Sequence, residues 1–177
     1  MKVRYFIASM VLVFATAGCY LPMTMTVVDA ESSAPIEGAV LLVEWTKTNI
    51  KGSADPYTTS YKVVEAVSDK DGNVKLPACF CWFTNDPDVT VYKKGYVAWN
   101  NKLIFPGYKK RKDFQWGGKA FRMERFREVN SHDKHVDFID MAIGASLKLE
   151  SKKSIFDAYQ SERRLSFEER QLIRQRK

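Results

Sequence analysis

Ser68-Asp69-Lys70-Asp71-Gly72-Asn73 stands between two runs of strand-forming residues, and its Asp-Gly step supplies the positive φ angles that a tight hairpin needs. Upstream, Tyr57 to Val67 alternates Tyr57, Tyr61, Val63 and Val67 against Thr58, Ser60 and Lys62, which predicts a strand with the first set on one face. Downstream, Val74 to Leu76 predicts the returning strand. Working outward, Met23 to Asp29 alternates, Ala39 to Trp45 is a β-rich apolar run, and Val89 to Tyr92 is another. Tyr96 to Trp99, Leu103 to Phe105 and Ala120 to Phe126 complete the pattern, with turn residues in between. Short strands at regular spacing predict a mainly β chain built as a sandwich of about seven strands.

After Val129 the period changes. Val136, Ile139 and Ile143 recur at helical spacing behind Ser131 as N-cap, and Ile155 to Arg164 predicts a second helix. Ser166 with Glu169 three residues on is a capping box, predicting a third helix through Arg174. The chain therefore divides into residues 1–18, 19–128 and a charged helical extension at 129–177. Of its 177 residues, 45% are hydrophobic and 28% charged, which excludes wholesale disorder. Charge is unevenly placed: Cys19 to Phe105 holds 8 basic and 10 acidic residues, and Pro106 to Lys177 holds 18 and 11. For an exported chain, that basic half points to anionic lipid head groups or acidic glycans rather than nucleic acid.

Export is expected from the N-terminus. Lys2 and Arg4 precede an apolar run from Tyr5 to Ala17, too short to span a bilayer, which needs about 20 apolar residues. Ala17-Gly18-Cys19 closes it. Two small residues before a cysteine resemble the lipobox of bacterial lipoproteins, although Thr16 stands where that pattern prefers Leu. The resemblance implies cleavage after residue 18, lipidation of Cys19 and attachment to the cell envelope. Tyr20 in place of Asp implies the periplasmic face of the outer membrane.

Three further pieces, in order, resemble the carboxypeptidase regulatory-like family. They are Val27-Val28-Asp29 with Ala34-Pro35-Ile36-Glu37-Gly38-Ala39-Val40, the Ser68 to Val74 hairpin, and Val91-Tyr92-Lys93-Lys94-Gly95-Tyr96. The resemblance covers roughly residues 22–128 and implies a transthyretin-like β-sandwich of the immunoglobulin-like kind. It carries fold rather than activity, and implies no peptidase, because the zinc-bearing catalytic domain of metallocarboxypeptidases has no counterpart here.

The remaining motifs bound the chemistry. Lys109, Lys110, Arg111 and Lys112 are four consecutive cations flanked by rings, a candidate site for an anionic ligand or else a solvated loop guarding a strand edge. Trp99, Tyr108, Phe114 and Trp116 are candidate stacking platforms for a carbohydrate or peptidoglycan. Cys79, Cys81, His132 and His135 are residue types that bind zinc, but Cys-x-Cys is tighter than the usual spacing, and two small buried side chains explain the cysteines. Asp69-x-Asp71-x-Asn73 begins like a calcium loop, yet Val74 replaces the required Gly and Phe80 the closing Glu. No nucleophile elbow, phosphate loop or His-Glu-x-x-His occurs. The expectation is a non-enzymatic envelope lipoprotein, without cofactor or metal, that presents a sandwich to an envelope protein or anionic glycan. A glycan-binding module using the aromatics is the alternative, and a metal-dependent hydrolase comes last.

Overall fold

The computed structural model describes residues 19–20, 22–50, 55–81, 83–114, 120–143 and 153–176. The expected signal segment and Trp116 lie outside the described residues. Strands outweigh helix. In order they are β1 (Cys19–Tyr20), β2 (Met23–Asp29), β3 (Val40–Asn49), β4 (Tyr57–Val67), β5 (Asn73–Leu76), β6 (Cys79–Phe80), β7 (Asp88–Tyr92), β8 (Trp99–Asn100), β9 (Leu103–Ile104), β10 (Lys109–Lys110) and β11 (Phe121–Met123). The helices are α1 (His132–Ile143) and α2 (Lys153–Gln175).

Two larger sheets form the body: a three-stranded one ordered β11-β2-β5 and a four-stranded one ordered β4-β3-β7-β8. Among the described strands only β11 runs parallel to its neighbour, pairing Phe121 with Val27. Side chains alternate along a strand, and β3 uses both of its faces. Leu41, Val43 and Trp45 enter a core shared with Val27, Val74, Val91, Phe121 and Met123 from both sheets. Val40 and Leu42 point the other way, into a second core with Tyr92, Phe138, Ile139 and Ile155. That double burial explains why β3 opens with an unbroken apolar run instead of an alternation. The helices thus cover the face of the four-stranded sheet that the three-stranded sheet leaves open.

The expected hairpin is instead a turn between sheets: β4 pairs with β3 and β5 with β2, so residues 68–73 carry the chain from the four-stranded sheet to the three-stranded one. Asp69 Oδ1 accepts the amides of Asp71 and Asn73 at 3.0 and 2.8 Å, and Gly72 sits at φ +74°. A Cβ at Gly72 would lie 2.5 Å from the carbonyl oxygen of Val27, so glycine is required twice over, by φ and by close approach.

Three further expectations need correction. The one face expected of β4 is not kept: Tyr57, Tyr61 and Val67 are exposed, Val63 packs on the second core, and Val64 and Ala66 pack on the first. The register with β3 shifts there, from Trp45↔Lys62 to Thr46↔Ser60, and such a bulge re-aims the side chains of an edge strand. Tyr96 makes only an isolated bridge to Arg125, and the strand expected from it begins at Trp99. The two C-terminal helices are one, α2, so Ser166 is mid-helix and cannot be an N-cap. Its hydroxyl bonds Asp133 at 2.5 Å, and Glu169 accepts the Asp133 amide at 3.1 Å and the Ser131 hydroxyl at 3.2 Å. The sequence that looks like a self-capping box caps the neighbouring helix. Each side chain faces α1 because one turn of packed helix brings residues three apart to the same side.

Candidate functional site

The basic segment lies on β10 and just after it. Lys109, Lys110 and Lys112 are exposed, whereas Arg111 is folded inward. Its Nε donates to the Asn100 carbonyl at 2.7 Å, and its guanidinium lies 4.6 Å from the centre of the Trp99 ring. Arg111 thus anchors the segment and also lines the groove that Lys110 borders, while the three lysines point outward.

Lys110 borders a groove of about 620 Å³, within the range of ligand-binding clefts. One wall is the β4 edge, contributing Thr58, Thr59 and Ser60, and the other is the β8 turn with Asn100 and Lys102. That second wall is stiffened by its own bonds. Asn100 Oδ1 accepts the amides of Lys102 and Leu103 at 2.8 and 2.9 Å, and Asn101 Oδ1 accepts that of Val89 at 2.8 Å. Lys102 pairs with Asp88 at 2.7 Å. The buried Ser60 hydroxyl on the opposite wall bonds none of the described residues.

Among the described residues, Trp99, Tyr108 and Phe114 do not assemble into a platform. Trp99 is 7% exposed, packing edge-on against Phe114 at 5.3 Å and Phe121 at 4.8 Å. Phe114 stacks over Phe121, and Tyr108 leans on Phe138 at 5.8 Å. Trp99 is part of the first core and Phe114 packs against it, so stacking on a sugar at these two is withdrawn, whereas Tyr108 is exposed. Nor do the cysteines meet the histidines. Cys79 and Cys81 are disulfide-bonded in the first core, while His135 belongs with α1 beside the second. Among the described residues no three His, Cys, Asp or Glu side chains are grouped to hold a metal ion.

No protein-family model, curated protein or solved structure matches this chain.

A buried carboxylate with three hydrogen-bond partners is one that the sequence reading passed over. Glu162 of α2 is buried, and its Oε1 meets Nδ1 of His132 at 2.6 Å and Nδ1 of His135 at 2.9 Å. Its Oε2 accepts the Tyr92 hydroxyl at 2.7 Å. The Ala98 amide donates to Nε2 of His135 at 2.8 Å, so that ring carries its proton on Nδ1 and gives it to Glu162. Burial alone would raise the Glu162 carboxyl, but hydrogen bonds from His135, His132 and Tyr92 outweigh it and bring it down to about 2. Burial, then the same carboxylate, pushes the Tyr92 phenol well above its ordinary value. With β7, the residue before β8, α1 and α2 all bonded to one cluster, the arrangement fixes the helices to the sheet.

The signal for this was present but faint. Ile155, Tyr159, Glu162 and Ser166 follow the 4-3-4 spacing of a buried helix ridge, and a glutamate on such a ridge requires partners. A second buried carboxylate, Asp29, is held far below the usual range, first by the Ser32 amide and next by Arg125 at 2.7 Å. It ties the end of β2 to Tyr96 and Arg125, again as a joint between segments.

Proposed function

We propose that this chain is an exported, lipid-anchored, non-enzymatic binding module of the bacterial cell envelope. Residues 1–18 direct export, Cys19 carries the lipid, and residues 19–128 form a transthyretin-like β-sandwich related to carboxypeptidase regulatory-like domains. Its place is the periplasmic face of the outer membrane, and its ligand is an anionic glycan.

The supporting observation is the groove between the β4 edge and the β8 turn. Hydroxyls from Thr58 and Thr59 face the Asn101 amide and the cationic Lys110 and Arg111 across a cleft large enough for a few sugar units; Glu44 also lines it, and Asp88 there pairs with Lys102. Hydroxyls and amides match sugar hydroxyls, and Lys110, whose ammonium is exposed, matches a carboxylate or phosphate. With Trp99 and Phe114 packed inward, hydrogen bonding and charge carry recognition here. An envelope protein is the second reading, favoured by the basic charge of residues 106–177.

Calorimetry with a uronic-acid oligosaccharide and a neutral one of equal length tests the ligand class. The acidic sugar is expected to bind, and Lys110→Glu to weaken it at least about tenfold, as loss and reversal of one charge-assisted bond implies. Thermal stability should not move, since the side chain is exposed. Equal binding of the neutral sugar, or no effect of Lys110→Glu, removes the anionic-glycan assignment.

A further inference from the structure

α2 presents a face that the other described residues leave uncovered. Its buried ridge is Ile155, Tyr159, Glu162 and Ser166. Beside that ridge run Phe156, Arg163, Phe167 and Arg174, spaced seven, four and seven residues apart. At ~100° per residue, these four fall within about 40° of one another along five helical turns. Phe156 is 47% exposed and Phe167 60%, and both arginines are exposed. Arg170, at the edge of the stripe, is held by Asp133, so it keeps the helix seated while adding positive charge. The acids Asp157 and Glu168 lie about 100° further round, leaving the stripe itself without a negative side chain.

Two rings alternating with two guanidiniums on a convex helix surface do not form a pocket. A partner protein would have to supply a matching cavity for each ring. A fluid interface accepts them without one: phenylalanine sinks beneath the head groups and arginine meets the phosphates. We infer that this stripe seats α2 flat on an anionic phospholipid surface. Lipidation of Cys19 would bring such a surface within reach, so the inference leans on the proposed function for its setting, but its test does not use that anchor. No helix among the described residues is long and apolar enough to cross a membrane.

The test places the photo-reactive residue benzoylphenylalanine at Phe167, and separately at the exposed Tyr61, in the full chain carrying Cys19→Ser. Each protein is irradiated on phosphatidylglycerol vesicles and on phosphatidylcholine vesicles, and lipid adducts are measured by mass spectrometry. The adduct at position 167 on phosphatidylglycerol is expected to exceed by at least tenfold both the phosphatidylcholine yield and the position 61 yield. Arg163→Glu with Arg174→Glu should lower it by a similar factor. Equal yields on the two lipids, equal yields at the two positions, no lipid adduct, or cross-links between two copies of the chain each overturn the inference. Because the vesicle result is obtained without an acyl chain on the protein, it stands or falls separately from lipidation at Cys19.

Discussion

Replacing Glu162 with Ala is expected to cost the fold about 3–5 kcal/mol, the range for stranding the partners of a buried charged group. Three donors lose their acceptor at once: His132 Nδ1, the fully buried His135 Nδ1 and the Tyr92 hydroxyl. Urea titration would read the loss as a lower midpoint, and calorimetry as a fall in Tm of roughly 8–15 °C. The same group sets an acid limit. Its folded value near 2 lies below the ordinary 4.5, so its contribution is complete above about pH 4.5 and disappears as the pH falls toward 2. That contribution is on the order of 2–3 kcal/mol by proton linkage. Wild-type stability should therefore drop across that interval, and the Glu162→Ala variant should show a shallower drop, with Asp29 supplying what remains. A variant that melts within about 1 °C of wild type would show that the cluster does not hold α2 to the sheet.

Gly72→Ala is expected to cost roughly 2–4 kcal/mol. Part is the positive φ, which costs an L-residue about 1–2 kcal/mol. The rest is contact: the new methyl would lie 2.5 Å from the Val27 carbonyl oxygen and 3.1 Å from Pro35 Cβ, so β2 or the turn has to move. Since Val27 donates its amide to the Gly72 carbonyl at 2.8 Å, that movement also loosens the β2·β5 pairing. Gly95→Ala makes an informative control. Its φ is +86°, yet nothing lies within 4 Å of the added carbon, so it bears the backbone cost alone. Denaturation of the two variants side by side separates the terms, and equal losses would refute the close-approach part of the account.

The fold was largely legible because its strongest signals are local. Asp-Gly at 71–72 marks a tight turn, though not which strands it joins: β4 and β5 on either side belong to different sheets, while alternation over Met23 to Asp29 marks a strand whose bounds match the observed one. What was hidden depends on contacts between distant segments. Ser166 and Glu169 have the spacing of a helix start, and nothing local reveals that α1 lies across from them and takes up both side chains. The outward turn of β4 comes from a bulge opposite Thr46, which is a property of two paired strands. At the groove, the four cations were visible in the sequence, but the inward rotation of Arg111 requires Trp99 to be in place, twelve residues earlier. Glu162 was missed because a single glutamate among arginines reads as solvated charge until the ridge it stands on is traced residue by residue.

The central claim, a two-sheet body held to the envelope by a lipid on Cys19, is tested most directly by the mass of the chain's N-terminal peptide after expression in a Gram-negative host and recovery from its membranes. The account predicts a peptide that begins at Cys19 and carries the mass of a diacylglycerol, lost entirely in Cys19→Ser. A chain that still begins at Met1, or one cut near residue 18 with no added lipid, would contradict it.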